Sequence, residues 1–197
     1  EGVDRACLAL RMVVNDKGRK ISHHFTRGLM NSKAALSYHQ LQAARDGEPD
    51  AATAPLIETV IAPLYEAYEA VAKERNNRQP LHLDLPERRI ELSDQGHVTT
   101  VAFRDRFDAH KLIEEFMILA NVCAAETLEA KRQPLLYRVH EEPSPTKLDG
   151  LRDVAQAAGL VLAKGQVLKT AHLNQLLDAA AGTDNAEIIN MSVLRSM

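Results

Sequence analysis

Between Arg19 and Thr26 the residues Ile21, His23 and Phe25 alternate with polar neighbours, and the preceding Cys7 to Val14 is rich in Leu, Ala and Val. Asn15-Asp16-Lys17-Gly18 between them has turn chemistry, so the spacing predicts a β-hairpin. A short helix is expected around Ser37 to Arg45, ended by Asp46-Gly47-Glu48-Pro49. From Pro55, apolar residues (Ile57, Val60, Ile61, Leu64, Tyr65, Tyr68, Val71, Ala72) recur at helical spacing up to about Asn76. Pro63 lies inside that run and should kink or split it. Leu81, Leu83 and Leu85 alternate with His82 and Asp84 as in a strand, and Arg89 to Leu92 and His97 to Phe103 flank the turn Ser93-Asp94-Gln95-Gly96. Asp108 is the expected N-cap of the longest helix, which should run to about Lys131 and stop before Pro134. Leu135 to Val139 is a short strand candidate. Helical patterns then cover roughly Pro145 to Ala158, Thr170 to Ala181 and Asp184 onward, each opened by a Ser, Thr or Asp cap and separated by Gly159, Gly165 and Gly182. The fold class is α+β: β-hairpins followed by a long buried helix and further helices.

Composition narrows what such a chain does. With 197 residues, 45% hydrophobic and 26% charged, it is long enough to bury a real core and is neither disordered nor collagenous. The longest mostly apolar window, Ile113 to Ala125, is broken by Glu114, Glu115 and Asn121 and falls short of the ~20 residues of a membrane span, so no membrane partner is expected. Cys7 and Cys123 are the only cysteines, which rules out a CxxC pair or Cys/His zinc spacing and makes a reducing cytoplasm the default location. A formal net charge of -3 means that any nucleic-acid site must be local rather than a general basic coat. Basic clusters at Lys17 to Lys20, Lys73 to Arg78 and Lys131-Arg132 are ordinary solvated surface in most proteins. The chain opens on Glu1 and stops at Met197 within a helical pattern, and both ends are read as cuts through a longer protein.

The segment that carries chemistry is the long helix. Leu112, Ile113, Phe116, Met117, Leu119, Ala120, Cys123 and Ala124 take up most of its circumference, so it should be largely buried. Steps of three and four residues put Glu114 on one stripe with Met117, Ile118, Asn121 and Ala125. A carboxylate there needs a partner: a structural Arg or Lys, a metal, or a substrate hydroxyl. The 8 histidines are scattered without HExxH or i,i+4 His spacing, which argues against zinc. His110 and His140 have the chemistry to bond a phosphate or ribose, although a helix-end or core role is commoner for such residues. No GxGxxG, GxxxxGK[ST] or GxSxG occurs. Arg104-Asp105-Arg106 reads as a self-paired surface segment rather than a metal cage.

Five segments in order, Lys33 to Tyr38, Leu83 to Glu87, Asp108 to Asn121, Leu136 to His140 and Val193 to Met197, resemble consecutive motifs of the RNB catalytic domain of the RNase R and RNase II family. DAHKLIEE, MILAN and LRSM are closer to the RNase R branch, and the resemblance spans residues 1–197 as the central part of one such domain. It implies a processive, hydrolytic 3'-5' exoribonuclease that degrades single-stranded RNA to nucleoside 5'-monophosphates, using Mg²⁺ held by an Asp cluster. It also implies that Tyr38 and Glu114 lie beside the terminal nucleotides and select ribose over deoxyribose, which agrees with a Glu accepting from a 2'-OH and a Tyr stacking or donating. Leu83 stands where the family often has an aromatic stacking residue, Gln79 where it has Gly, and Phe107 where RNase R usually has Asn. The family's DxDD cluster and SPIRRY segment do not occur in these residues, so this piece alone is expected to be inactive, with apolar surface that drives self-association. Two other classes stay open: a non-catalytic interaction module, and a helical regulatory domain in which Glu114 and Tyr38 are engaged in core pairs.

Overall fold

The computed structural model describes residues 2–85, 88–103, 105–139, 141–163 and 169–197; Arg104, His140 and Gly165 lie outside them. The chain divides into two compact units, Glu1–Arg78 with Asp105–Leu136, and Gln79–Arg104 with Tyr137–Met197.

The first unit opens with the expected hairpin. Strands β1 (Asp4–Val14) and β2 (Lys20–Asn31) pair antiparallel, with Leu10 opposite Phe25 and a register shift at Val13/Val14. The Asn15 side-chain oxygen accepts from the backbone N–H groups of Lys17 (3.1 Å) and Arg19 (2.9 Å), which closes the turn. Gly18 in that turn has φ +76°, and a Cβ on it would stand 1.9 Å from the carbonyl oxygen of Ala70. Glycine is therefore required twice, by the backbone conformation and by the closeness of the helix that carries Ala70.

Helix α1 (Tyr38–Arg45) starts from a reciprocal cap: Ser37 Oγ accepts from Gln40 N–H at 3.2 Å, and Gln40 Oε1 accepts from Ser37 N–H at 2.9 Å. A 3₁₀ turn (Ala54–Leu56) and a π turn (Ile57–Ile61) lead into α2 (Ala62–Asn77). The break expected at Pro63 is this change of register. Ala62 N–H donates five residues back to Ile57, and Pro63 falls in the first turn of α2, where its missing N–H costs no helical bond.

The long helix α3 (Asp108–Ala130) runs unbroken, but it is buried along one stripe only. Ala109, Leu112, Glu115 and Cys123 are buried, whereas Met117 is 61% exposed and Ile113, Ile118 and Val122 are also exposed. The expectation of a largely buried helix is corrected: Leu112 and Phe116 join Ala44, Ile61 and Tyr65 in a core that covers one side of α3. Its N-cap is Phe107 rather than Asp108. Asp108, the first helical residue, binds Arg45 Nη1 at 2.5 Å and Lys111 Nζ at 3.1 Å. The fully buried carboxylate is Glu115, whose Oε1 meets Arg75 Nε at 2.8 Å, while its Oε2 has no hydrogen-bond partner.

In the second unit α4 (Pro145–Ala157), α5 (Thr170–Ala180) and α6 (Ala186–Ser196) enclose a core of Leu151, Ala155, Leu173, Leu176, Leu177, Ile189 and Val193. Ser144 caps α4 as expected, whereas α5 and α6 open from Lys169 and Asn185. Leu81 to Leu85 is not a strand. Leu81 and Leu83 do pack on the helical core, but the intervening amides are bonded by side chains: His82 N–H donates to Asn174 Oδ1 (3.0 Å) and Asp84 N–H to Asn190 Oδ1 (2.8 Å). Leu135 to Val139 likewise forms no strand, and Leu136 is 100% exposed. Strands β3 (Arg88–Leu92) and β4 (Val98–Phe103) form the second expected hairpin, with Ile90 opposite Val101 and Arg88 opposite Phe103. One of its faces carries Ile90, Leu92, Val98, Val101 and Phe103, all exposed.

Two outcomes follow for stability. Gly18→Ala is expected to cost more than the ~1–2 kcal/mol of a left-handed non-glycine residue, because the methyl also meets the α2 backbone; an unchanged denaturation midpoint would show that the turn does not seat there. Burial raises the Glu115 carboxyl above its ordinary 4.5, Arg75 opposes the rise and Glu114 adds to it. The folded chain thus keeps a proton that the unfolded chain has lost, so this residue's contribution to stability falls as pH rises from about 4.5 through the raised value. Over that window wild type should lose stability relative to Glu115→Gln, as denaturant titrations at several pH values will show.

Candidate nucleic-acid interface

The residues singled out from the sequence, Tyr38 and Glu114, both lie in the first unit. The cap at Ser37 makes Tyr38 the first residue of α1, with its ring on the surface at 41% exposure. That ring stacks on His110, in the first turn of α3, at 4.1 Å between centroids and 23° between planes. Phe107 stacks on His110 at 5.6 Å and 27°, and His39 meets Phe107 edge-on at 5.0 Å. Four aromatic rings thus join the N-termini of α1 and α3. The Phe107 backbone N–H donates to His110 Nδ1 at 3.1 Å, which holds the imidazole in place.

Glu114 is one helical turn beyond His110, on the same stripe of α3. Its carboxylate is half-exposed and pairs with Arg106 Nη2 at 3.1 Å. The burial argument made for Glu114 therefore belongs to its neighbour Glu115, and Glu114 has the structural Arg partner that was one of its three alternatives. Arg106, expected in a self-paired segment with Asp105, pairs with Glu114, and Arg104, the other arginine of that segment, lies outside the described residues. Beneath the rings, the Lys111 ammonium and the Arg45 guanidinium hold the Asp108 carboxyl below its ordinary range against the opposing effect of burial. Arg45 also lies over the Tyr65 ring at 4.4 Å, and Gln42 Oε1 accepts from Ala109 N–H at 3.2 Å, so α1 and α3 are firmly tied.

Sequence reasoning missed His39 and Phe107 as ring partners. Phe107 was visible only as a departure from the resembled pattern, and an aromatic immediately before a helix that carries His at its third position was the available signal. Two basic clusters converge in the first unit. Arg19, Lys20 and Arg78 line a cavity of about 190 Å³ with Glu74 and Glu115. Arg19 pairs with Glu74 at 3.3 Å and Lys20 with Glu126, so much of that charge is neutralised within the fold. Leu83 packs against the second unit's core. Among the described residues no group of three or more His, Cys, Asp or Glu side chains is placed to hold a metal ion. Among the described residues, too, no helix is long and apolar enough to cross a membrane.

The surface is one of stacked rings, an exposed carboxylate and an exposed guanidinium, which suits a ligand with flat faces and hydroxyl groups. Comparison with known proteins agrees on the ancestry. The RNB domain matches residues 1–197. Ribonuclease R of Escherichia coli is 32% identical over 197 residues, covering 99% of this chain and 24% of the relative. Ribonuclease R of Vibrio parahaemolyticus is 31% identical with the same coverage, so the chain spans about a quarter of the length of these relatives. In structure, the apo form of Mycoplasma genitalium RNase R matches with a TM-score of 0.87 at 20% identity, covering 99% of this chain and 31% of that one. The same enzyme in complex with ribose methylated single-stranded RNA matches equally well, with a TM-score of 0.87. With the motifs in order and the family match running from the first residue to the last, the chain belongs to the RNB domain family.

Proposed function

We propose that the protein carrying this chain is a hydrolytic exoribonuclease that degrades single-stranded RNA processively from the 3' end to nucleoside 5'-monophosphates. In this reading the chain supplies part of the surface that holds the terminal nucleotides. The observation that supports it most is the stack of Tyr38 on His110, the residue one helical turn before Glu114 on the same stripe of α3. Tyr38 offers a ring face and a hydroxyl, Glu114 is an acceptor for a 2'-OH, and that hydroxyl is what tells RNA from DNA. Arg106 pairs with one oxygen of the Glu114 carboxylate and offers positive charge to the backbone phosphates.

Mg²⁺ belongs to the proposal as the ion that would activate water and stabilise the leaving oxygen. The described residues do not fit it: no set of ligands is assembled among them, and their part is binding and orientation. The metal ligands are proposed to come from elsewhere in the protein, and with them the isolated 197-residue chain is proposed to be inactive and the whole enzyme cytoplasmic.

Two outcomes test this. In the protein that carries this chain, Glu114→Ala should lower degradation of and affinity for RNA about ten- to a hundredfold, the loss of a hydrogen bond to a charged group, with DNA oligomers of matched sequence far less affected. Tyr38→Ala should narrow the RNA/DNA preference more than it weakens overall binding; equal losses on both substrates would assign the two side chains to folding instead. EDTA should abolish release of mononucleotides and added Mg²⁺ should restore it, and degradation that is indifferent to chelation would sink the metal assignment.

A further inference from the structure

We infer that His110 is a second ribose-reading residue, whose Nε2–H donates to the same hydroxyl that gives its proton to Glu114. The inference rests on the RNA reading above and adds a donor to it.

The argument begins with the tautomer. The Phe107 backbone N–H, which can only donate, lies 3.1 Å from His110 Nδ1. Nδ1 is therefore the acceptor, and in the neutral ring the proton sits on Nε2. Tyr38 on one side and Phe107 stacked alongside fix the plane of the imidazole, so the Nε2–H points in a set direction. Among the described residues it has no protein acceptor. One turn along α3, Glu114 uses Oε2 for Arg106, and among the described residues its Oε1 has no hydrogen-bond partner. Side chains four residues apart on a helix stand ~5–6 Å from each other at Cβ, close enough for one ligand oxygen to be shared between their polar ends.

The chemistry of that oxygen is restricted. A phosphate or carbonyl oxygen accepts from His110 but is repelled by the Glu114 carboxylate, and an amine donates to Glu114 but offers His110 nothing. A hydroxyl both accepts and donates, and matches the pair. In a polynucleotide the hydroxyl that matches a ribose reader is the 2'-OH, which DNA lacks; the 3'-OH of the last nucleotide, which DNA shares, is the alternative that the test excludes. The geometry pairs a donor with an acceptor, so the preference for RNA would rest on two residues rather than one.

The test uses the protein that carries this chain, in EDTA so that substrate survives, and measures Kd for four oligomers: RNA, DNA, and RNA lacking either the 2'-OH or the 3'-OH of its last nucleotide. His110→Phe keeps the ring stack and loses both nitrogens; it should weaken RNA about three- to tenfold and leave DNA unchanged. His110→Gln, which keeps an N–H donor, should recover part of the loss. His110→Phe should be silent on the oligomer that lacks the 2'-OH, and silence instead on the one that lacks the 3'-OH overturns the assignment. Equal losses on RNA and DNA, or none on RNA, overturn the inference. If wild type binds no RNA the functional reading falls with it, whereas RNA preference reduced by Glu114→Gln and untouched by His110→Phe removes His110 alone. Should His110→Phe fail to fold, ¹⁵N imidazole shifts of wild type decide: a proton on Nε2 whose signal moves with RNA and not with DNA supports the assignment, and a proton on Nδ1 overturns it.

Discussion

A carboxylate that must be buried sets the rotation of α3, and much of the first unit follows from it. Removing an ionised Glu from water costs several kcal/mol unless a partner answers it, and Arg75 of α2 does so for Glu115 at 2.8 Å. Successive residues of a helix point about 100° apart, so once Glu115 faces α2 its neighbour Glu114 is carried out to the surface. The same rotation puts Leu112 in the core at 0% exposure and sends Met117 to solvent. It also sets His110, four residues before Glu114, on the outer stripe where Tyr38 stacks on it. One buried ion pair thus sorts two adjacent, chemically identical side chains into a structural and a solvent-facing role.

That sorting explains why the candidate site was only partly legible. The two hairpins, the helix over Asp108–Ala130 and the short helix expected around Ser37 to Arg45 follow from turn chemistry and local periodicity, and all of them form. Local signals cannot say which of Glu114 and Glu115 turns inward, because apolar residues surround α3 almost evenly and the decision is made by Arg75 about 40 residues away in the chain. Leu81 to Leu85 shows the same limit in another form. The alternation reads as a strand; Leu81 and Leu83 do pack on a core, but alternation is silent on where the backbone hydrogen bonds go. They go to Asn174 and Asn190, side chains of α5 and α6. Phe107 replaced Asp108 as the cap because the aspartate is drawn to Arg45 and Lys111.

The amide side chains of Asn174 and Asn190 give the second unit a means of ordering an irregular segment without a sheet. Each satisfies a backbone N–H of the 81–85 stretch, and Asn174 also donates to Pro80 O at 2.8 Å. For the buried Asn190, which also donates to Ala186 O at 2.9 Å, any loss leaves polar atoms without partners, so the amide is worth more than its single bonds suggest. The β3–β4 hairpin is the opposite case: its apolar face stays exposed, and two strands alone are marginal in water.

The reciprocal cap between Ser37 and Gln40 has a consequence for reading sequence variation in this family. Tyr38 owes its place to being the first residue of α1, and α1 begins there because two polar side chains close its first turn. A substitution at Ser37 or Gln40 lets that turn fray and shifts the ring, because each side chain is spent on closing the helix. In a mutational scan scored by activity, both positions would look like contact sites. Only a measurement of helix order beside the activity separates a residue that touches the ligand from one that keeps another residue in position.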